Sequence, residues 1–426
     1  MRRAYYLIVL SLLFISSCVT KKQVIEKQEQ SKIYTPGTTY LHPEYLIYHH
    51  ADTASQLIVK INADELLFNQ ANPENELQAK VKIQYQLVDI TDNASSNSIT
   101  DSATFVKKVE KIPGKNTVLQ TLTIKTKYGK QYSLKISFSD LLRGVKQTNF
   151  ISVNKLTRNC SQNFKTISRI NDLPMFRSFI YPDEKIRIIH NLNGLKHVYI
   201  KYRKDDTPLP PPPFSVLKEP DYSLVQDSVW VFPYNQQLSY QFAYKGNYLI
   251  VTDSLQKEGL YIINAGRSFP KVTEPDMMIP PLEYLTTTDE FNALKKQDNS
   301  KLAVDNYWLK MSGNNLDMAR ELIRIYYTRM FYANQFFTSY KQGWRTDRGM
   351  IYIIFGPPSS ITKNATSETW EYYVRQDASN LTITFNKTPS PYTENHYVMV
   401  RSDSYTRFWR LAIDTWHKGK AFSLEE

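Results

Sequence analysis

Residues 343–349 contain the strongest candidate for chemistry in the chain. One carboxylate, Asp347, lies there between Arg345 and Arg348. A carboxylate on a loop beside a sheet can act as an acid or bind a ligand. A carboxylate flanked by arginines also commonly forms a structural ion pair. The sequence favours the structural interpretation, and no catalytic residue is assigned.

The neighbours of Asp347 have local structural roles available to them. Gly343 can take the left-handed conformation that ends a helix, and Trp344 can be buried against that helix. Thr346 or Asp347 can accept hydrogen bonds from nearby backbone amides. Gly349 would relieve steric constraint on the backbone at the start of the following strand. These roles make the segment structural or part of an interface.

Motifs for other chemistries are missing from the sequence. It has no H-E-x-x-H zinc motif, G-x-S-x-G nucleophile elbow, phosphate loop or C-x-x-C pair. His42, His49 and His50 come closest to a metal cluster, but they lack carboxylates at ligand spacing, so no metal site is predicted. Cys160 lacks any cue for catalysis and is predicted to be a structural or merely tolerated thiol. The acidic pairs at residues 64–65 and 205–206 are expected to be solvated.

The first residues have the pattern of a signal peptide. Arg2 and Arg3 precede an apolar run at residues 5–15. A hydrocarbon core of about 30 Å needs roughly 20 residues, so this run is too short to be an anchor. The small residues before Cys18 resemble the lipobox of bacterial lipoproteins. That resemblance implies removal of residues 1–17 and acylation of Cys18, with palmitate among the acyl chains and no other cofactor. An ordinary secreted protein is the alternative.

Composition favours an exported protein with packed cores. Loss of residues 1–17 would lower the formal net charge from +12 to +10. Charge is spread along the chain, so we expect weak attraction to anionic lipids or glycans and no nucleic-acid partner. One cysteine would remain besides the lipidated one, so no internal disulfide is predicted. Apolar residues make up 42% of the chain, which is enough to build packed cores, and the length of 426 residues predicts two to three domains.

Hydrophobic periodicity divides the mature chain into a tether and three domains. Residues 18–44 are polar up to about Thr39, which predicts a flexible, lipidated tether. Residues 45–158 alternate apolar and polar side chains between turn signals, which predicts a β-sandwich-like domain. Residues 159–275 predict a second β-rich domain. Its proline-rich stretch at residues 208–214 is expected to be a stiff loop, with docking into an aromatic groove as the alternative.

Residues 276–426 change to helical spacing and predict an α+β domain. Thr287 and Glu290 form a capping box for a helix near Asp289. A longer amphipathic helix is predicted from about residue 316 to 340. Strands are predicted after it, at residues 349–355, 368–373, 381–385 and 397–400.

One family resemblance emerges from these residues. The G-W-x-T-D spacing is formed by Gly343, Trp344, Thr346 and Asp347. The segment resembles the GWxTD domain, found in exported proteins and lipoproteins of Gram-negative envelopes. Gly356 and Pro357, the turn after the next predicted element, fit the same pattern. The resemblance covers about residues 285–415 and implies an α+β domain often preceded by β-rich modules. It implies no biochemical activity.

The leading hypothesis is a non-catalytic, membrane-anchored lipoprotein that is a scaffold or accessory subunit of an outer-membrane protein complex. An alternative is a module that binds glycan or peptidoglycan. An exposed aromatic row, for instance Trp370, Tyr372 and Trp409, would favour it. A third hypothesis is a hydrolase that uses Asp347 with Glu368 or Glu371. Carboxylates that converge in a pocket would favour the hydrolase, and buried pairing of Asp347 would exclude it.

The residues after Cys18 indicate to which membrane, and to which face of it, the lipoprotein is sorted. Val19 lacks the acidic side chain that favours inner-membrane retention in familiar lipoproteins, so the outer membrane is expected. Lys21 and Lys22 occupy positions where some lineages place acidic signals for surface export. The periplasmic face is therefore the prediction, with the cell surface as the alternative.

Overall fold

The computed structural model describes residues 28–29, 33–37, 40–70, 76–91, 98–205, 207–217, 225–374 and 379–422. Within these residues two β-rich modules are followed by an α+β module, as the change in periodicity predicts. None of the described helices combines the length and the apolar character that crossing a bilayer requires. Cys18, the predicted acylation site, lies outside the described residues.

The first module follows a two-residue strand, β1 (Gln28–Glu29), and is an antiparallel sandwich. Its strands are β2 (Glu44–Ala51), β3 (Ala54–Asn62), β4 (Gln78–Asp89), β5 (Ile99–Glu110), β6 (Thr117–Lys125), β7 (Lys130–Asp140) and β8 (Val145–Lys155). The two sheets have the orders β2-β3-β6 and β5-β4-β7-β8. Alternating side chains such as Val81, Ile83 and Leu134 fill the core between them.

The second module also has two sheets. Its strands are β9 (Phe164–Ser168), β10 (Phe179–Ile180), β11 (Lys185–His190), β12 (His197–Arg203), β13 (Ser228–Pro233), β14 (Ser239–Gln241), β15 (Gly246–Val251) and β16 (Leu260–Asn264). The larger sheet has the order β10-β16-β15-β12-β13, and the smaller sheet has the order β14-β11-β9. One face of the larger sheet packs on the smaller sheet through Ile186, Ile200 and Ile250. The other face packs on the C-terminal module through Tyr261 and Tyr340.

The C-terminal module combines helices and an antiparallel sheet in one core. Its elements are α1 (Pro275–Met278), α2 (Thr288–Lys295), α3 (Ser300–Met311), α4 (Leu316–Phe337), α5 (Asp347–Phe355), β17 (Ser360–Lys363), β18 (Ser367–Val374), β19 (Ser379–Lys387), β20 (Tyr397–Met399) and α6 (Thr406–His417). The sheet order is β1-β17-β18-β19-β20. The predicted capping box of Thr287 and Glu290 is confirmed at the start of α2.

The strand predicted at residues 349–355 is wrong, because these residues belong to helix α5. All nine residues of α5 are buried. Apolar side chains therefore occur on every side of the helix, and the run has no periodicity that separates helix from strand. The decisive local signal is Thr346, whose side chain caps the helix by accepting the Gly349 N–H.

The flexible tether predicted up to about Thr39 is wrong for the part that the structure describes. Strand β1 pairs with β17, and Ile33 and Tyr34 are buried in the core of the C-terminal module. Burial of these two large side chains stabilises an ordered position for a segment whose average composition is polar. The described part of the N-terminal segment therefore belongs to the C-terminal module.

Candidate functional site

Residues 343–349 connect α4 to α5 at a point where backbones approach closely. A Cβ atom on Gly343 would lie 2.0 Å from the carbonyl oxygen of Ala333. A Cβ atom on Gly349 would lie 1.9 Å from the carbonyl oxygen of Gly343. Neither glycine has a positive φ. The left-handed role predicted for Gly343 and the strand-entry role predicted for Gly349 are therefore wrong, and close approach explains both glycines.

Trp344 is buried between α4 and the preceding helical turns, as predicted. Its backbone N–H donates to Oδ1 of Asn334 at 3.1 Å, and its indole N–H donates to Oε1 of Gln342 at 2.8 Å. Its carbonyl oxygen accepts from the Tyr284 hydroxyl at 2.9 Å. Each polar group of Trp344 thus has a partner in its own module, which is the pattern of a structural residue.

Asp347 is 1% exposed and is bound at both oxygens. Its Oδ1 lies 2.6 Å from Nη2 of Arg401, and its Oδ2 accepts from the backbone N–H of Met399 at 2.7 Å. The structural ion pair predicted for Asp347 is present, but its partner is Arg401 rather than a flanking arginine. The carboxylate therefore joins the start of α5 to the end of β20.

A second buried carboxylate, Glu368, lies among cations. Nζ of Lys363 is 2.7 Å and Nη1 of Arg348 is 3.2 Å from its Oε1. The hydroxyl of Tyr34 donates to the same carboxylate at 3.0 Å. Arg348 also donates to Oδ1 of Asn395 at 2.5 Å. We call these five residues the Glu368 network, and it joins the N-terminal segment to α5, β17 and β18.

The contacts of the Glu368 network determine its protonation states. Burial alone would raise the pKa of Glu368, but the charges of Lys363 and Arg348 outweigh burial and lower that pKa well below the ordinary value of 4.5. Burial and the charge of Glu368 raise the pKa of Tyr34, so the phenol stays protonated and donates. A general acid needs a raised pKa, so Glu368 has the wrong environment for that role.

The Glu368 network predicts an acid-sensitive contribution to stability. Because the pKa of Glu368 is lower in the folded chain, its ionisation stabilises the fold above about pH 4.5, and this contribution is lost as the pH falls towards 2. We expect the difference in unfolding free energy between wild type and Glu368→Gln to be largest at neutral pH and to narrow below pH 4.5. Denaturant titrations from pH 7 to pH 3 measure it, and a constant difference would contradict the ion-pair assignment.

The proline-rich loop of the second module docks beside the motif. Nη1 of Arg345 lies 2.8 Å from the carbonyl oxygen of Thr207 and 3.4 Å from the carboxylate of Asp205. Nη2 of Arg401 donates to the carbonyl oxygen of Pro211 at 3.1 Å. Since a proline-rich segment forms no ladder, its carbonyl groups are available to the arginines. Arg401 therefore binds both the motif carboxylate and the loop of the preceding module.

Gly356 and Pro357 form the predicted turn, which ends α5 rather than a strand. Gly356 has φ 83° and ψ −171°, a backbone conformation that is essentially restricted to glycine. Its carbonyl oxygen accepts from the hydroxyl of Tyr372 at 3.0 Å. The turn thereby connects α5 to the buried face of β18.

Most of the other polar residues considered for chemistry have partners of their own. His42 binds Glu65 at 3.0 Å, and His49 binds the carbonyl oxygen of Asn154 at 2.9 Å. Burial raises the pKa of the Cys160 thiol to about 11, which agrees with a structural cysteine. In the part of the chain that is described, no three His, Cys, Asp or Glu side chains group as metal ligands do.

Two acidic residues expected to be solvated are in fact bound. Glu65 is buried and accepts from the backbone N–H of His42 at 2.7 Å. Asp205 is held by Arg345 and by the side chain of Gln342 at 2.8 Å. The neighbouring residue 206 lies outside the described ranges. Two adjacent acidic residues in the sequence therefore do not show whether their side chains are solvated in a turn or bound in an ion pair.

The aromatic residues considered for glycan binding do not form an exposed row. Trp370 and Tyr372 are in the core of the C-terminal module, and Trp409 packs against that core. Glu371, the other candidate acid, lies on the opposite side of β18 from Glu368 and is partly exposed. These residues do not assemble into one groove or one pair of carboxylates.

Sequence reasoning missed the partners of both buried carboxylates. Arg401 is 54 residues from Asp347 and has no local motif. Lys363 and Asn395 likewise lie in segments with no sequence pattern that predicts their place in the Glu368 network. A sequence pattern does mark Tyr34, because Ile33 and Tyr34 form an apolar pair inside a polar segment.

The fold is a pair of β-rich modules followed by an α+β module that carries the motif. The comparison with known families agrees with the resemblance that the motif indicated. Residues 246–418 match the GWxTD domain. The chain therefore contains a GWxTD domain over residues 246–418. The match begins before the predicted residue 285 and includes β15 and β16, whose outer face packs on Tyr340. The comparison with curated proteins gave no match.

Proposed function

We propose that this protein is an exported lipoprotein that acts, without catalysis, as a scaffold or accessory subunit of a protein complex at the outer membrane. Acyl chains on Cys18 would anchor it, with the folded modules on the periplasmic side. The observation that supports a non-catalytic role most directly is the environment of Asp347. Bound by Arg401 and a backbone amide, this carboxylate cannot reach a substrate without the loss of a buried ion pair.

The contacts of the motif also support a scaffold. Arg345 binds the carbonyl oxygen of Thr207, just before the proline-rich loop of the second module, and Arg401 binds the loop itself. Arg348 belongs to the Glu368 network, which includes Tyr34. The motif thus holds several chain segments in a fixed arrangement. A lipid anchor would raise the local concentration of such a body near a membrane partner without strong contacts.

The alternatives have less support. A hydrolase would need Asp347 and a second acid facing a substrate, and both Asp347 and Glu368 are instead buried with separate arginines. A glycan-binding module would need exposed aromatic rings, and Trp370 and Tyr372 are buried.

The lipoprotein proposal predicts that Cys18→Ala abolishes acylation. The variant should lose incorporation of an alkyne-tagged palmitate, retain residues 1–17 and leave the outer-membrane fraction, because the thiol is the acyl acceptor. Metabolic labelling, intact mass and membrane fractionation measure these effects. Cys160→Ala is the matched control and should behave as wild type, since Cys160 is buried in the fold. Labelling retained in Cys18→Ala would refute the anchor.

The scaffold proposal is tested by purification from the native membrane. We expect the full-length protein, mildly cross-linked and then captured by an affinity tag, to recover a defined outer-membrane complex. The same preparation should not release products from peptidoglycan or from glycan strands. Recovery of the protein alone, or release of such products, would overturn the proposal.

A further inference from the structure

Strand β13 is an open edge of the second module. It is the last strand of the larger sheet, and no other described strand pairs with its outer side. Tyr234, just after β13, donates its N–H to the carbonyl oxygen of Lys196 at 2.8 Å. Because backbone groups alternate in an antiparallel pair, the even-numbered residues of β13 bond to β12. The N–H and C=O groups of Val229 and Val231 therefore point outward.

Within its own six residues, β13 lacks the usual protection against pairing. Edge strands are commonly protected by charged side chains, by proline, by bulges or by short length. Every other edge strand of five or more residues in the described part of the chain has a charged residue, namely Glu44 in β2, Lys107 in β5, Lys125 in β6, Lys146 in β8 and Lys165 in β9. β13 has six residues and no charge, and its one proline is the last residue. Val229 and Val231 are 44% and 56% exposed.

We propose that β13 binds an extended segment of another polypeptide, which adds a sixth strand to the larger sheet. The inference rests on the proposed scaffold function and names the surface that a partner would use. The backbone of the segment would bond to Val229 and Val231. Its side chains would lie beside these valines on one face of the sheet and beside Trp230 and Phe232 on the other.

Charge around the edge indicates the chemistry of the segment. Lys196 is exposed beyond one end of β13. Lys204 is exposed at the other end, where Asp227 accepts from its backbone N–H. A segment with apolar alternation and acidic ends complements this arrangement. A second copy of the chain fits less well, because its formal net charge, +10 after loss of residues 1–17, is repulsive.

The proposal is tested with a fluorescein-labelled peptide of alternating valine and threonine with a glutamate at each end. Fluorescence anisotropy with the full-length lipoprotein in detergent should show saturable binding. Val231→Pro should weaken binding about tenfold, since it removes an outward N–H and no bond to β12. Val231→Thr keeps the N–H and the branched side chain, so it should bind as wild type.

Two further peptides keep the test independent of how the variants fold. A peptide N-methylated on alternate amides and a peptide with lysine ends should both bind wild type about tenfold more weakly. Absence of saturable binding, or equal affinity for all peptides, would overturn the proposal. So would sedimentation showing a wild-type dimer that Val231→Pro dissociates, because the occupant would then be a second copy. Loss of peptide binding with an intact cross-linked complex would refute the edge site alone and leave the scaffold proposal standing.

Discussion

Gly349→Ala should destabilise the C-terminal module by about 3 kcal/mol or more. The added Cβ would lie 1.9 Å from the carbonyl oxygen of Gly343 and 2.8 Å from its carbonyl carbon. Both atoms belong to the backbone, so α5 must move away from the turn that precedes it. Overpacking that forces shifts of this kind typically costs about 1–3 kcal/mol, occasionally more. Denaturant unfolding followed by near-ultraviolet circular dichroism measures the loss.

The matched control for this prediction is Gly313→Ala. Gly313 has φ 63° and no heavy atom within 4 Å of an added Cβ, so alanine there encounters backbone strain without a clash. Its expected cost is about 1–2 kcal/mol. If Gly349→Ala were no more destabilising than Gly313→Ala, close packing would not be the reason for glycine in the motif.

Glu368→Gln should destabilise the same module by about 3–5 kcal/mol. The substitution keeps the size of the side chain but leaves Arg348 and Lys363 without their shared carboxylate. Removal of one partner from a buried ion pair costs this much because the remaining charge is uncompensated. Hydrogen exchange should show the loss first in β17, β18 and the segment around Tyr34, which the Glu368 network connects.

Glu371→Gln tests whether the effect is specific to the Glu368 network. Glu371 is on the same strand but on its other side, where it is partly exposed and its closest polar contacts are 3.3–3.4 Å hydrogen bonds. Its substitution should change stability by less than about 1 kcal/mol. Similar losses for Glu368→Gln and Glu371→Gln would show that a charge anywhere on β18 matters, and would contradict the network.

The all-β part of the fold could be predicted because its signal is local. Along β4 and β7, for example, every second side chain enters the core of the first module, and that alternation is visible in the sequence. The capping box before α2 is similarly local, since Thr287 and Glu290 bond to each other across one helical turn. Signals of this kind depend on neighbouring residues only.

The incorrect predictions concern residues whose conformation or partner depends on tertiary contacts. Helix α5 has no exposed face, so its apolar run contains no period. The two motif glycines fit close backbone contacts that exist only after α4 and α5 have packed. Asp347 pairs with Arg401, whereas Arg345 binds Thr207, just before the proline-rich loop of another module. A single sequence gives the residue types of such contacts but not their pairing.

The most direct test of the central claim, that the motif supports the fold and performs no chemistry, is a double-mutant cycle on Asp347 and Arg401. Asp347→Asn, Arg401→Gln and the double variant would each be measured for unfolding free energy and for recovery of the cross-linked complex per folded molecule. The account predicts that each single variant loses stability and that the double variant loses less than the sum. Recovery per folded molecule should stay at the wild-type level. An Asp347→Asn protein that remains as stable as wild type but no longer recovers the complex would contradict the account.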